Sequence, residues 1–312
     1  MTEPVLHHYP ASPFAEKVRA MLGFKGIAWK SVQIPLIMPK PDVVALTGGY
    51  RKTPILQVGA DIYCDTSLIA RVLDRLKPSP SLFPQGETLA VQAAAHFADN
   101  VLFSITVPIV FQPGGGMLNL FFPDATPEFL AAFGKDRAAM RQGGTVRRGP
   151  PHECKANLQG VLPRIEAQLQ GPFLFGNQAC VADFSLYHVL WPIWKVENTR
   201  TAFAPFPKTL KFIERIVAFG HGKITEIASG DALQIARSAK PDAVIGAAAL
   251  ESGGIALGER ATAMPVDSGL DPVNGELLNA SADEIVLRRT DPRAGTVHVH
   301  FPRFGYQLNR PA

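Results

Sequence analysis

RKTPILQVGADIYCDTSLIARVLDRL, residues 51–76, reads as strand, turn, strand and helix. Pro54 to Val58 is an apolar run suited to a buried strand, Gly59-Ala60-Asp61 a turn, and Ile62 to Cys64 a short return strand. Asp65-Thr66 then opens a helix. Asp or Thr there accepts backbone N–H bonds or presents a polar group to a ligand over the exposed amides. A proline at the head of a core strand cannot donate to the ladder, so the polar groups beside it are left for another partner. An extended ligand is one candidate.

Outward from this stretch, residues 5–9 (VLHHY) form a plausible first strand and Pro10-Ala11 breaks it. Ser12-Pro13 opens a helix with Phe14, Val18, Met21 and Leu22 on one face. Serine at the N-cap, proline at the first helical position and Glu16 in the first turn make a strong helix start. Ser31 to Leu36 gives a second strand. Strand, helix and strand, followed by a proline-introduced hairpin and a helix, is the order of a thioredoxin-like α/β domain.

Thr53-Pro54, followed eleven and twelve residues after the proline by Asp65-Thr66, resembles the glutathione-transferase family. The resemblance implies that the proline is cis and that its neighbour's backbone pairs with the cysteinyl part of glutathione. It also implies that the acidic-hydroxyl pair holds the γ-glutamyl end. Thr53, Pro54, Asp65 and Thr66 occupy those places. The usual pair is Glu-Ser, so Asp65 reaches one methylene less far. Ser12 falls where the family carries its catalytic Ser or Cys, and Pro13 and Phe14 at the same helix start are placed with the glutathione-binding residues. Lys40 resembles a family lysine that pairs with the glycyl carboxylate. Plainer roles stand beside these: Ser12 as an N-cap alone, Lys40 as a solvated loop lysine, Tyr9 as strand-end packing, and Lys52 as a surface residue.

A helix N-terminus carries about half a positive charge and unsatisfied N–H groups, and so stabilises an anion. A thiol such as that of glutathione, with a pKa of about 8.5, is mostly protonated at neutral pH. Lowering it by roughly two units takes about 3 kcal/mol. A hydroxyl hydrogen bond to the thiolate together with the helix end is of that size. Cysteine at position 12 would form a mixed disulfide; serine favours thiolate activation over thiol exchange.

With 312 residues, the chain suits two or three domains. Its 46% hydrophobic and 19% charged residues are those of an ordinary globular protein. A net charge of +4, spread along the chain, does not indicate nucleic-acid binding and weakly favours anionic substrates. Three cysteines, Cys64, Cys154 and Cys180, show no metal or disulfide spacing, and the first residues show no signal peptide. The apolar stretch near Val101 to Phe111 is interrupted by Ser104, Thr106 and Pro108 and falls short of the roughly 20 residues of a membrane span. A cytoplasmic protein without membrane attachment is expected.

The expected architecture is a thioredoxin-like glutathione-binding domain over residues 1–77, a linker over 78–86, an all-helical substrate domain over 87–240, a linker over 241–263 and a small β module over 264–312. Helices are expected over 87–110, 127–142, 151–170, 206–219 and 223–238, with 143–150 a mobile loop over the cleft. Asp183 matches the acid of a family capping box before the central buried helix, with Cys180 in place of Ser/Thr. The tail alternates as a hairpin, Glu284 to Thr290 and Thr296 to Arg303, with 265–270 and 306–308 as further strands. His298 and His300 share one face, but no third ligand stands at a predictable spacing, so no metal is expected.

The leading functional expectation is an enzyme that binds glutathione and activates its thiol for attack on a small electrophile, acting as a homodimer. Phe97, Val101 and the 111–122 loop are expected around the electrophile. The alternative is a non-catalytic scaffold of the same fold whose β module docks a partner.

Overall fold

A computed structural model describes residues 3–112 and 114–311. Val5–His8 (β1), Pro13–Lys25 (α1), Ala28–Gln33 (β2), Pro41–Thr47 (α2), Ile55–Val58 (β3), Asp61–Cys64 (β4) and Thr66–Leu76 (α3) form the thioredoxin-like unit. β2 runs parallel to β1, β3 antiparallel to β1, and β4 antiparallel to β3. The second strand begins and ends three residues earlier than expected, because Pro35 has no N–H with which to continue the ladder.

The helical domain contains Leu89–His96 (α4), a π-helical turn over Phe97–Leu102, Phe103–Val110 (α5), Met117–Phe121 (α6), Pro127–Arg141 (α7), Pro151–Gln168 (α8), Val181–Lys195 (α9), Glu197–Arg200 (α10) and Pro207–Val217 (α11). At the π turn the Asn100 side-chain amide donates to the His96 carbonyl over 3.1 Å, which locally replaces the regular α ladder. The whole stretch Leu89–Val110 is 22 residues long with mean hydropathy 1.4, long and apolar enough to cross a membrane by length and composition. The expectation of an apolar run far too short is corrected on that point. In this structure the stretch packs against α9, and its Asp99 pairs with Lys17 over 2.7 Å. α9 is the central helix, buried from Val181 to Ile193. Its Asp183 carboxylate accepts from the backbone N–H groups of Cys180 and Leu174, each over 2.8 Å.

The chain then returns to the first sheet. Lys223–Glu226 (β5), Ser229–Ser238 (α12), Arg260–Pro265 (β6), Val273–Ala280 (β7), Glu284–Asp291 (β8), Gly295–Pro302 (β9) and Tyr306–Asn309 (β10) follow. A helix over 223–238 was expected; its first turn is instead the strand β5, which pairs in parallel with the edge of β2. β7 was not expected, because Asn274 and Gly275 weaken its strand signal. β6 ends at Pro265, where the strand 265–270 was expected to begin.

All ten strands form one sheet in the order β10-β6-β7-β8-β9-β4-β3-β1-β2-β5. The C-terminal strands are an extra β module joined to the thioredoxin-like unit through parallel pairing of β9 with β4. β5 and β9 therefore cover both edges of the four-stranded sheet, which would otherwise present unpaired backbone groups. The strands alternate between two cores. Leu6, Leu56 and Tyr63 face α1, α3 and the helical domain. Val5, Ile55 and Ile62 face a second core with Leu46, Leu233, Leu287 and Val299.

Candidate active site

The strand register brings three short segments to one end of the sheet. His7 lies opposite Ile55, and Ile55 opposite Cys64. The residues that follow β1, precede β3 and follow β4 are therefore neighbours, and these segments carry Ser12, Thr53-Pro54 and Asp65-Thr66.

Ser12 is buried at the N-cap of α1, and its Oγ accepts the Ala15 N–H over 3.1 Å. A hydroxyl has one donor and two acceptor positions, so this cap leaves the Ser12 O–H free to donate. Pro13 begins the helix. Phe14 is half-buried and turns its ring to Phe103 and His188, with centroids 4.7 and 4.5 Å away. It thus fixes the seam between the two domain types.

The Thr53-Pro54 bond is cis. Lys40 is buried, and its Nζ donates to Thr53 Oγ1 over 3.2 Å while lying 5.6 Å from the Tyr9 ring centroid. It is not a solvated loop lysine. Burial, and then the nearby Arg137 guanidinium, lower its ammonium to about 7. Arg137 also donates to Tyr9 Oη over 3.1 Å and to the Leu36 carbonyl over 2.7 Å.

Asp65 has φ of +79°, a backbone conformation that a non-glycine residue rarely holds and that is concentrated at functional sites. Its Oδ1 accepts from the Ser67 N–H and hydroxyl over 2.9 and 2.8 Å. Its Oδ2 accepts from Tyr306 Oη over 3.3 Å, and Tyr306 in turn meets Tyr50 Oη at 3.0 Å. Thr66 Oγ1 accepts from Lys17 Nζ over 3.1 Å, and Lys17 is the partner of Asp99. The helical domain thereby reaches the opening of α3 through a partly buried ion pair.

Sequence reasoning missed Tyr306, Lys17 and Arg137. Their only sequence signal is chemical type: Tyr306 and Arg137 come from distant parts of the chain, and Lys17, on α1 itself, meets Thr66 only across the fold. It also misplaced Lys52, which is half-buried, ion-paired with Asp267 of the extension and 6.0 Å from the Tyr306 ring centroid. The 143–150 segment is docked rather than free: Val146 N–H donates to the Asp267 carbonyl over 3.1 Å, and Thr145 N–H donates to the Val266 carbonyl over 3.4 Å.

A cleft of about 400 Å³ is lined by Pro10, which precedes Ser12 in the loop before α1, and by Glu16, Phe121, Tyr187, Trp191 and His221. Burial pushes the Glu16 carboxyl up, but hydrogen bonding by His221, the Arg19 charge and Tyr187 outweigh it and bring the group down to about 2. Phe121 of the expected electrophile loop lines this cleft. Phe97 and Val101 do not; they are 46% and 45% exposed on the outer face of the long helix.

Comparison with known proteins agrees with this architecture. The sequence model described as "Glutathione S-transferase, N-terminal domain" matches residues 6–81, and that described as "Glutathione S-transferase, C-terminal domain" matches residues 147–219. No curated protein matches the chain. Among solved structures, the chain is similar to a GST-like protein from Pseudomonas syringae, with 41% identity over 100% of both chains and a TM-score of 0.82. Glutathione S-transferase III in apo form shares 22% identity over 69% of this chain and 92% of its own, with a TM-score of 0.51. A Tau class glutathione S-transferase from mango, Mangifera indica, shares 16% identity over 69% and 89%, with a TM-score of 0.51. These two share the fold alone, whereas the Pseudomonas protein matches along the whole length, C-terminal strands included. On that full-length identity and the two matched domains, the chain belongs to the glutathione S-transferase family.

Proposed function

We propose that this protein binds glutathione at the end of the sheet where Ser12, Thr53 and Asp65 converge, and stabilises its thiolate for attack on an electrophilic small molecule. The convergence carries the reading. An anion placed over the first turn of α1 meets the positive end of the helix and the Phe14 N–H, since Pro13 has no N–H and those of Ala15 and Glu16 are taken by Ser12, and the Ser12 O–H remains free to donate to it. Thr53 contributes backbone groups at the cis proline, Asp65 and Thr66 take the γ-glutamyl end, and Lys40 takes the glycyl carboxylate. Pro13 and Phe14 shape the helix start beside the thiol. Activation of the nucleophile and its positioning then supply the rate enhancement.

The cleft lined by Trp191 and Phe121 is the apolar surface we assign to the electrophile. A second copy of the chain would cover the exposed Phe97 and Val101, giving a homodimer. Three buried free cysteines suit a reducing, cytoplasmic setting. The scaffold alternative is not favoured, and the contact of the extension's Tyr306 with Asp65 supports a role for the extension at the proposed site.

Calorimetric titration of glutathione into the wild type and Asp65→Ala tests the reading. Saturable binding lost in the variant is expected. In Ser12→Ala, binding should persist while the ultraviolet thiolate signal and turnover of a general electrophile fall, the latter by about 10²–10³-fold, as for the loss of one preorganised anion donor. No heat with the wild type at millimolar glutathione would sink the proposal.

A further inference from the structure

A second cluster lies at the seam where the C-terminal strands join the thioredoxin-like unit, separate from the proposed glutathione site. Parallel pairing sets Asp61 of β4 opposite His298 of β9, and Tyr63 opposite His300. His300 Nε2 is 2.9 Å from Asp61 Oδ1, and His298 Nδ1 is 3.7 Å from the same oxygen. The three side chains offer donor atoms that all lie within 4.8 Å of one another. Exposures of 3% for Asp61, 9% for His298 and 7% for His300 place the cluster inside the protein.

Each of two donors is oriented from behind. His300 Nδ1 is held by Glu284 Oε1 at 2.6 Å, which directs Nε2 inward. The second oxygen of Asp61 accepts the Asp242 N–H over 2.9 Å, which leaves Oδ1 for the cluster. A carboxylate behind a ligating histidine is the usual outer support of a metal site. His298 Nδ1 is buried without a hydrogen-bond partner among the described residues, and it is turned toward Asp61. A polar nitrogen left in that condition costs stability unless something fills the gap. Arg288, an exposed cation opposite His298 on β8, is engaged by Glu276.

We propose that Asp61, His298 and His300 form a binding site for one divalent transition-metal ion of the zinc type. Two imidazole nitrogens and one carboxylate oxygen suit zinc and its neighbours, and they are too few oxygens for calcium or magnesium. Metal–ligand distances of about 2.0–2.2 Å in tetrahedral geometry place donors roughly 3.3–3.6 Å apart. The separations of 2.9 and 3.7 Å bracket that range. The ion takes the place of the proton between His300 and Asp61, and a water completes the fourth position. Because Asp61 belongs to the thioredoxin-like unit and the histidines to the extension, the ion staples the two and stabilises their junction.

The test uses the full-length chain, stripped with a chelator and titrated calorimetrically with zinc, with cobalt as a spectroscopic substitute. One zinc per chain, a raised melting temperature, and a four-coordinate cobalt absorption spectrum are expected. His298→Gln should abolish the cobalt spectrum and zinc binding while leaving the metal-free melting temperature and glutathione binding unchanged. Glu284→Gln should weaken zinc by about 10–100-fold. Absence of saturable zinc binding, or binding unaltered by His298→Gln, would overturn the proposal.

Discussion

At the scale of single residues, the groups with chemical potential are those whose environment departs from the ordinary. Asp65 holds a positive φ and is tied by Ser67 and Tyr306, so its carboxylate is oriented before any ligand arrives. Lys40 titrates near neutrality because burial, and then Arg137, disfavour its charge. Only the ammonium attracts a carboxylate, so affinity for an anionic ligand should fall as pH rises through about 7. S-methylglutathione has no thiol to titrate and isolates this effect. It is expected to bind about tenfold more weakly at pH 8 than at pH 6, and Lys40→Met should flatten that dependence. A flat wild-type profile in calorimetry would remove Lys40 from the site. Ser12, Thr53, Asp65 and Thr66 were all legible as candidates, because each stands where backbone geometry makes it conspicuous: a helix cap or a proline neighbour. Tyr306 was not, since nothing local distinguishes it from any other strand tyrosine.

At the scale of elements, terminal residues decide where helices begin. Asp183 accepts two backbone N–H groups at the start of α9, the most buried helix of the chain. Asp183→Ala leaves both donors without that acceptor in the interior and should cost about 2–4 kcal/mol. Denaturant titration would show the loss as a lower midpoint with an unchanged slope; a change under about 0.5 kcal/mol would put this cap among the substitutions of ordinary surface effect. The capping acid was readable from sequence because it acts over three residues. The strand β5 was not readable. Lys223 to Glu226 are exposed on their side chains, so no apolar alternation marks them, and only the free edge of β2 draws them into extended structure.

At the scale of the whole molecule, the C-terminal chain closes both edges of the first sheet and brings Tyr306 to Asp65 at the end of the candidate site. The outer face of the long helix leaves Leu89 82%, Phe97 46% and Val101 45% exposed, an apolar surface in search of a partner. In the proposed homodimer, Phe97→Glu combined with Val101→Glu should yield a monomer by light scattering without change in the melting transition of an isolated subunit. A wild type that is monomeric at all accessible concentrations would refute the dimer.

The sequence by itself determined the thioredoxin-like order, the helical second domain, the hairpin in the tail and the positions of the capping and proline-linked residues, because these depend on periodicity and on interactions across a few positions. Tertiary structure alone decided that the tail continues the first sheet, that Tyr306 reaches Asp65, and that a third donor for His298 and His300 comes from Asp61. Strand pairing joins residues according to which edge is free and which faces are apolar, and sequence separation carries no trace of either.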